Sequence, residues 1–321
     1  MTPKQKFDLI KKNTAEIITE EHLLELLKEK KQHAAYCGYE PSGPIHLGHL
    51  VTIIKLLDLQ KAGFKIKILL ADIHALLNRK SSESLIKKEV ENWKKAIKAI
   101  GVNGEIILGS DFQFKKEYQS EVMRLAQHTT INRGLRSMQE IARDIENATI
   151  SQLWYPLMQS ADIKHLSIDI ALGGLEQRKV HMIAKDLSNI LDYKFIAIHT
   201  PLITSLKDPK EKMSKSIPGS GISLTDTEDE IKKSINTAYC PPKETSNNPI
   251  LQIIKLIIFP MLNKINIERP QKFGGKKTYS SYESLESDFA EAKLHPADLK
   301  SALFSHLENI IAPIRKNYAR Y

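Results

Sequence analysis

The chain has 321 residues, enough for two domains, and its 41% apolar and 26% charged residues are the balance of a soluble globular protein. No run of about 18 apolar residues occurs, so no membrane span is expected, and the opening MTPKQKFDLIKKN lacks the apolar stretch of a secretory signal. Only two cysteines, Cys37 and Cys240, argue against a disulfide framework or a cysteine-based zinc site and suit a reducing cytoplasm, while a formal net charge of +9 favours a polyanionic partner.

Strands and helices alternate over the first two thirds. HAAYCGYE (33–40) reads as a short strand. From Leu50, apolar residues recur at Ile53, Ile54 and Leu57, one face of a helix that should end at Gly63. KIKILLA (65–71) has the β-branched and leucine content of a buried parallel strand. A charged helix follows over roughly 82–100, then a strand at GEIILG (104–109), then helical patterns over about 116–162. SIDIALGG (167–174) is a strand, a helix starts near Glu176, and KFIAIHTPL (194–202) is the last clear strand. Five strands separated by helices predict an α/β fold, a Rossmann-like doubly wound parallel sheet. The stretch of about 110–165 is too long for one crossover and reads as a helical insertion. Beyond Pro218, helices are expected near 226–238, 247–258, 281–291 and 295–318 with little strand signal. The expected domains are therefore 1–217, nucleotide-binding, and 218–321, mostly helical.

PSGPIHLGHL (41–50) leaves the first strand and enters the first helix at the sheet edge where ligands bind in open α/β folds. A helix N-terminus attracts anions, Gly48 admits a close approach to the backbone, and His46 and His49 can donate to phosphate oxygens as charge develops. Two other readings stand beside this one, a metal-binding H-x-x-H pair and a structural pair. EKMSKS (211–216) follows the last strand. There Lys212 and Lys215 can bring cations to a phosphate in the transition state, or can simply decorate a surface loop. In WYPLMQSAD (154–162), Tyr155, Gln159 and Asp162 share one helix face, which lines a polar pocket or meets water. Tyr36, in the first strand, can face the same pocket. Asp72 and His74 lie at the ligand edge of the second strand, where a cap and a packed histidine are equally good accounts.

His46-Leu47-Gly48-His49 and Lys212-Met213-Ser214-Lys215-Ser216, in this order, resemble the two signatures of class I aminoacyl-tRNA synthetases. The stretches AAYCGYEPSG (34–43), LLADIHALLN (69–78), YPLMQSAD (155–162), GGLEQRKVHM (173–182) and HPADLK (295–300) resemble the tyrosyl branch of archaeal and eukaryotic type. The resemblance implies a ligase that joins L-tyrosine and ATP, with magnesium, into tyrosyl-adenylate and passes the tyrosyl group to tRNA(Tyr). It gives catalytic roles to His46, His49, Lys212 and Lys215, and ATP contacts to Gly38, His46, Gly48, His49, Gly174, Glu176 and Lys215. Tyr36 and Asp162 would hold the substrate phenol, and Tyr155, Gln159 and Gln177 its amino group. No protein-held metal is implied, and relatives of this kind are cytoplasmic homodimers joined through the insertion.

Arg133, Arg136 and Arg143 recur at near-helical spacing in the insertion and suit acceptor-stem phosphates or a solvated basic face. Arg178 would by resemblance lie near the first base pair of the tRNA. Phe273 before two glycines suits stacking on an unpaired base, and Asp298 can accept from a guanine edge, although His295-Pro296-x-Asp298 is also an ordinary helix start. With the resemblance, Phe273, His295 and Asp298 become the candidates for anticodon contact. Three rivals remain: a small nucleotidyltransferase, which needs no helical domain; a tryptophanyl enzyme, against which Tyr36 and Asp162 argue; and a non-catalytic RNA-binding relative, which would not need the motif histidines and lysines.

Overall fold

The buried β-branched runs of the first two thirds lie side by side in a six-stranded sheet. A computed structural model describes residues 1–79, 81–142, 144–214 and 217–321. The strands are β1 (Glu16–Ile18), β2 (Ala34–Tyr39), β3 (Lys65–Leu70), β4 (Glu105–Leu108), β5 (Ile170–Gly174) and β6 (Ile196–Thr200), in the order β1-β6-β5-β2-β3-β4. The five expected strands are all present and pair in parallel. The sixth, β1, pairs antiparallel with β6 at the edge. Its three residues, Glu-Ile-Ile, are too few to show a period in the sequence. Every residue of β5 and β6 is buried, as expected for strands covered on both faces.

From β2 the chain runs outward to β3 and β4, then returns to β5 and β6 on the other side. The order therefore reverses between β2 and β5, and the crevice beyond their carboxyl ends is the place where such sheets bind ligands. Tyr36 on β2 and Ala171 on β5 belong to one apolar cluster with Ile163, Ile168, Phe195 and Ala197.

The chain divides into two compact units, one of residues 1–42, 55–94 and 102–201, the other of 43–54, 95–101 and 202–321. The first contains the sheet. Its helices include α1 (Pro3–Lys11), α2 (Glu20–Leu26), the C-terminal part of α3 (Leu47–Lys61) from Lys55 on, α4 (Asp72–Leu77) and most of α5 (Glu83–Ile100). The insertion supplies α6 (Lys116–Ala126), α7 (Ile131–Met138) and α8 (Ile150–His165), and α9 (Arg178–Asp186) and α10 (Ser188–Leu191) follow β5. Tyr118, Val122 and Leu125 of α6 pack with Leu157, Met158 and Ala161 of α8 and Ile183 of α9, which seats the insertion on the sheet domain. Lys55 of α3 is only 2% exposed, and its ammonium donates to the carbonyls of Ile10 and Lys12, at the negative end of α1, and to Asp58.

The second unit contains α11 (Glu228–Thr237), α12 (Pro249–Ile253), α13 (Phe259–Leu262), α14 (Tyr282–Ala290) and α15 (Pro296–Tyr318). Residues 254–258, between α12 and α13, are wound as a π-helix, so the expected helix at 247–258 is present with an altered pitch. A two-stranded ribbon, β7 (Ile265–Ile267) and β8 (Lys277–Tyr279), was not expected; each strand has only three residues. Leu299, Leu303, Leu307, Ile310, Ile311 and Ile314 form the buried stripe of α15, against which α11 and β7 pack.

Candidate active site

In the first unit, the polar face of α8 does not meet water. Asp162 is fully buried and Tyr155 is buried, with Gln159 half-buried between them. Tyr36 of β2 is equally buried, and the Gln159 amide lies beside its phenol. Gln159 Nε2 also points at Gln177 Oε1, 3.4 Å away, in the turn after β5. The Tyr155 hydroxyl donates to Glu40 Oε1 at 2.9 Å, and Asn78 Nδ2 reaches the same carboxylate at 3.3 Å. Thus β2, α8 and the turn after β5 bring Tyr36, Tyr155, Gln159, Asp162 and Gln177 to one place at the switch point.

Asp162 is the electrostatic centre of this pocket. Its Oδ1 accepts from Gln113 Nε2 at 2.8 Å and from the Tyr118 hydroxyl at 2.7 Å. Oδ2 has no hydrogen-bond donor among the described residues, although it is buried, and His74 Nε2 lies 3.7 Å from it. Burial raises the carboxyl above the usual carboxylate range, opposed by His74 and by the hydrogen bonds from Gln113 and Tyr118. Burial, joined by the negative charge of Asp162, also holds the phenols of Tyr36 and Tyr118 well above 10, so both remain donors. A buried carboxylate oxygen without a donor is costly. It is the acceptor a ligand hydroxyl would satisfy.

His74 therefore takes part in this polar cluster, with its ring edge-on to Tyr155, whereas Asp72 does local work: its Oδ1 accepts from the backbone of Ile73 and Ser110. Glu40, Asn78, Gln113 and Tyr118 belong to the site and were not found by reading the sequence. An acidic residue directly after the first strand, at the ligand edge of the sheet, was the available signal for Glu40. Gly38, exposed on β2, has room for a Cβ, so its bare backbone suits a ligand laid against it. At Gly174 a Cβ would strike the carboxylate of Glu176 at 2.2 Å, so the missing side chain lets Glu176 fold back over the strand end.

In the second unit, the two signature loops are tied to one peptide. Ile45 and Leu47 pair with Leu224 and Ile222: Leu47 N donates to Ile222 O and Leu224 N to Ile45 O, both at 3.0 Å. The half-buried rings of His46 and His49 lie against each other, with centroids 3.8 Å apart and planes tilted by 32°. Nδ1 of His46 accepts from Gly48 N at 3.1 Å, and Nδ1 of His49 accepts from His46 N at 3.2 Å. Each ring thereby keeps Nε2 as its donor. A Cβ at Gly48 would stand 2.9 Å from the His46 ring, so glycine is needed for the stack. In the lysine loop, Lys212 bridges to Thr204, Met213 is buried with its N–H on Ile203 O, and Ser214 N reaches Ser220 Oγ at 3.3 Å. A Cβ on Gly221 would meet Met213 Cγ at 2.8 Å. Residues 220–224 thus hold both loops. Lys215 lies outside the described residues, as do Ser216 and Arg143.

Of the candidates for RNA, Arg136 is exposed on α7, Arg133 is ion-paired with Asp186, and Arg178 Nε pairs with Glu16 Oε1 at 2.7 Å. Phe273 is 59% exposed in a short 3₁₀ turn beside Lys272. His295 is the N-cap of α15, its Nδ1 accepting from Ala297 N, and Asp298 lies in the first turn. The ordinary helix-start reading of these two residues describes their local structure.

The chain belongs to the class I tRNA synthetases: residues 28–312 match the family model described as tRNA synthetases class I (W and Y). It is similar in particular to a tyrosine–tRNA ligase of Methanopyrus kandleri, 45% identical over 320 residues and 98% of each chain. A second such ligase, from Methanocorpusculum labreanum, is 47% identical over 308 residues, 95% of this chain and 96% of its own. Among solved structures, the tyrosyl-tRNA synthetase of Archaeoglobus fulgidus complexed with L-tyrosine superposes with a TM-score of 0.94 at 43% identity, over 98% of this chain and 99% of that one.

Proposed function

We infer that the chain is a tyrosine–tRNA ligase. The observation that carries this reading is the buried, undonated Oδ2 of Asp162 beside the Tyr36 phenol. A ligand hydroxyl supplies the missing donor. An indole has no hydroxyl, and phenylalanine would leave the oxygen unpaired; rejection of phenylalanine by tyrosyl enzymes is the standing illustration of this rule. Tyr155, Gln159, Gln177 and the Glu40 carboxylate form the polar end suited to the amino group.

The substrate carboxylate attacks the α-phosphorus of ATP, forming the mixed anhydride and breaking the bond to the β-phosphate, so that pyrophosphate leaves. His46 and His49, with Nε2 as donors, and Lys212 and Lys215 stabilise the charge that grows on the phosphate oxygens. Gly38, Gly48, Gly174 and Glu176 receive the nucleotide. Magnesium, which accompanies ATP as a substrate, would offset the charge of the triphosphate. A ribose hydroxyl of the tRNA end then attacks the tyrosyl carbonyl and AMP leaves. Arg133, Arg136 and Arg178 are assigned to the acceptor stem, and Phe273, His295 and Asp298 to the anticodon.

Activation is assigned to 1–217 and anticodon reading to 218–321, with residues 222–224 also serving the histidine loop. Homodimerisation through the insertion fits its exposed Phe114, Met123, Ile131 and Ile150. No helix is long and apolar enough to cross a membrane; the cytoplasmic assignment rests on two buried thiols and on the tRNA substrate. The test is ATP–pyrophosphate exchange with single amino acids, followed by charging of tRNA(Tyr). Exchange driven by tryptophan, or by none of the twenty, would overturn the assignment.

A further inference from the structure

The two oxygens of Asp162 are in different circumstances. Oδ1 is held by two donors and Oδ2 by none among the described residues. A carboxylate turns easily about its last torsion, so something must decide which oxygen is offered to the substrate. We propose that Gln113 and Tyr118 are positioning residues that set amino-acid specificity: by fixing Oδ1 they present Oδ2, as an ionised acceptor, to the phenol of the substrate. The proposal rests on the tyrosine-pocket reading above and adds two residues to it.

Proton counting supports it first. Tyr118 has one hydroxyl proton and two acceptors in reach, Met158 O at 2.8 Å and Asp162 Oδ1 at 2.7 Å. Met158 lies inside α8, where its carbonyl is engaged by the helix ladder. The charged acceptor forms the stronger bond and takes the proton. Gln113 must likewise turn its NH₂ toward Asp162, because a carboxylate can only accept. Both bonds favour the ionised form and counter the burial that opposes it.

Rigidity of the two donors is the second support. Gln113 is fully buried; its backbone N–H is held by Gly109 O at 2.9 Å and its carbonyl by Gln119 Nε2 at 2.6 Å. The amide oxygen of Gln113 occupies the space left by the absent side chain of Gly109, where a Cβ would come within 2.5 Å of it. Tyr118 is 1% exposed, with Phe112 edge-on at 5.4 Å and His165 at 4.9 Å. Neither donor can follow a rotating carboxylate, so the carboxylate conforms to them. A loosely held Asp162 could turn Oδ2 toward these donors when phenylalanine binds and so escape the cost of an unpaired oxygen. Discrimination requires that it cannot.

The test compares kcat/KM for tyrosine and for phenylalanine in pyrophosphate exchange. The variants are Tyr118→Phe, which keeps the ring, Gln113→Met, which keeps the volume, and Gly109→Ala, which leaves both donors chemically intact but displaces the Gln113 amide. The tyrosine-to-phenylalanine ratio should fall by on the order of tenfold to a hundredfold in each, chiefly through KM for tyrosine, with KM for ATP unchanged. General damage to the fold would instead lower both amino acids together and disturb ATP. Asp162→Asn separates this proposal from the pocket reading. If it leaves the ratio at the parental value, the pocket reading fails and the proposal with it. If it lowers the ratio while Tyr118→Phe, Gln113→Met and Gly109→Ala all retain the parental ratio, Asp162 reads the hydroxyl unaided and the positioning role is overturned.

Discussion

Replacing Asp162 by asparagine should stabilise the ligand-free protein while removing its use of tyrosine. Asparagine keeps an oxygen to accept from Gln113 and Tyr118, at the 2.8 and 2.7 Å now observed, and puts an NH₂ where the undonated Oδ2 stands. What it removes is a fully buried charge with no cation in hydrogen-bond contact, His74 being 3.7 Å away. Replacing buried charges by neutral groups of similar shape commonly gains about 1–3 kcal/mol, or about 2–4 °C per kcal/mol in a unit of this size. The sign with pH follows from the raised carboxyl. The folded group binds its proton more tightly than the unfolded one, so the cost of the charge is absent below the unfolded value near 3.8 and complete above the folded value. Parent and variant should therefore unfold alike in acid and separate as the pH rises to 7. Denaturant unfolding of the ligand-free proteins across that range measures the gap, and pyrophosphate exchange at pH 7 measures the loss of function. An Asp162→Asn protein that is less stable than the parent at pH 7, or a gap that does not close toward acid, would refute the reasoning.

His49→Ala removes one donor from the phosphate loop and should slow adenylate formation on the order of a hundredfold, with tyrosine affinity retained in equilibrium binding. Asp298→Ala and Phe273→Ala should lower charging of tRNA(Tyr), the latter by about 1–3 kcal/mol for a lost stacking platform, while pyrophosphate exchange, which needs no RNA, stays at the parental rate. Lys55→Met should destabilise the first unit by about 2–3 kcal/mol, because the carbonyls of Ile10 and Lys12 and the carboxylate of Asp58 lose a buried donor; urea unfolding followed by the fluorescence of Trp93 and Trp154, both in that unit, reads the change.

The sheet could be read from the sequence because its central strands are largely buried and appear as short apolar, β-branched runs separated by helical patterns. β1, β7 and β8 have three residues each and carry no period long enough to recognise. The spacing of Tyr155, Gln159 and Asp162 put them on one helix face, but whether that face lines a pocket or meets water was settled only by its burial in the structure. Gln113 and Tyr118 could not be found in the same way. They meet Asp162 across 49 and 44 residues of chain, and within their own segments they are an unremarkable glutamine and a core-facing tyrosine. The Glu40–Tyr155 contact spans 115 residues. Local pattern identifies which residues are inside; it does not identify which of them meet.

The short peptide 220–224, which holds Ile45 and Leu47 on one side and the Met213 loop on the other, limits how this protein can be taken apart. A cut at the apparent seam near residue 217 would strip the histidine loop of its pairing partners and leave Met213 without its cover. Chimaeras that exchange the RNA-reading end between relatives should therefore keep adenylate chemistry only when the crossover falls beyond Leu224, in the polar run before α11. The change of composition after Pro218 therefore does not mark a place where the chain can be divided, because the peptide just beyond it still serves the histidine and lysine loops.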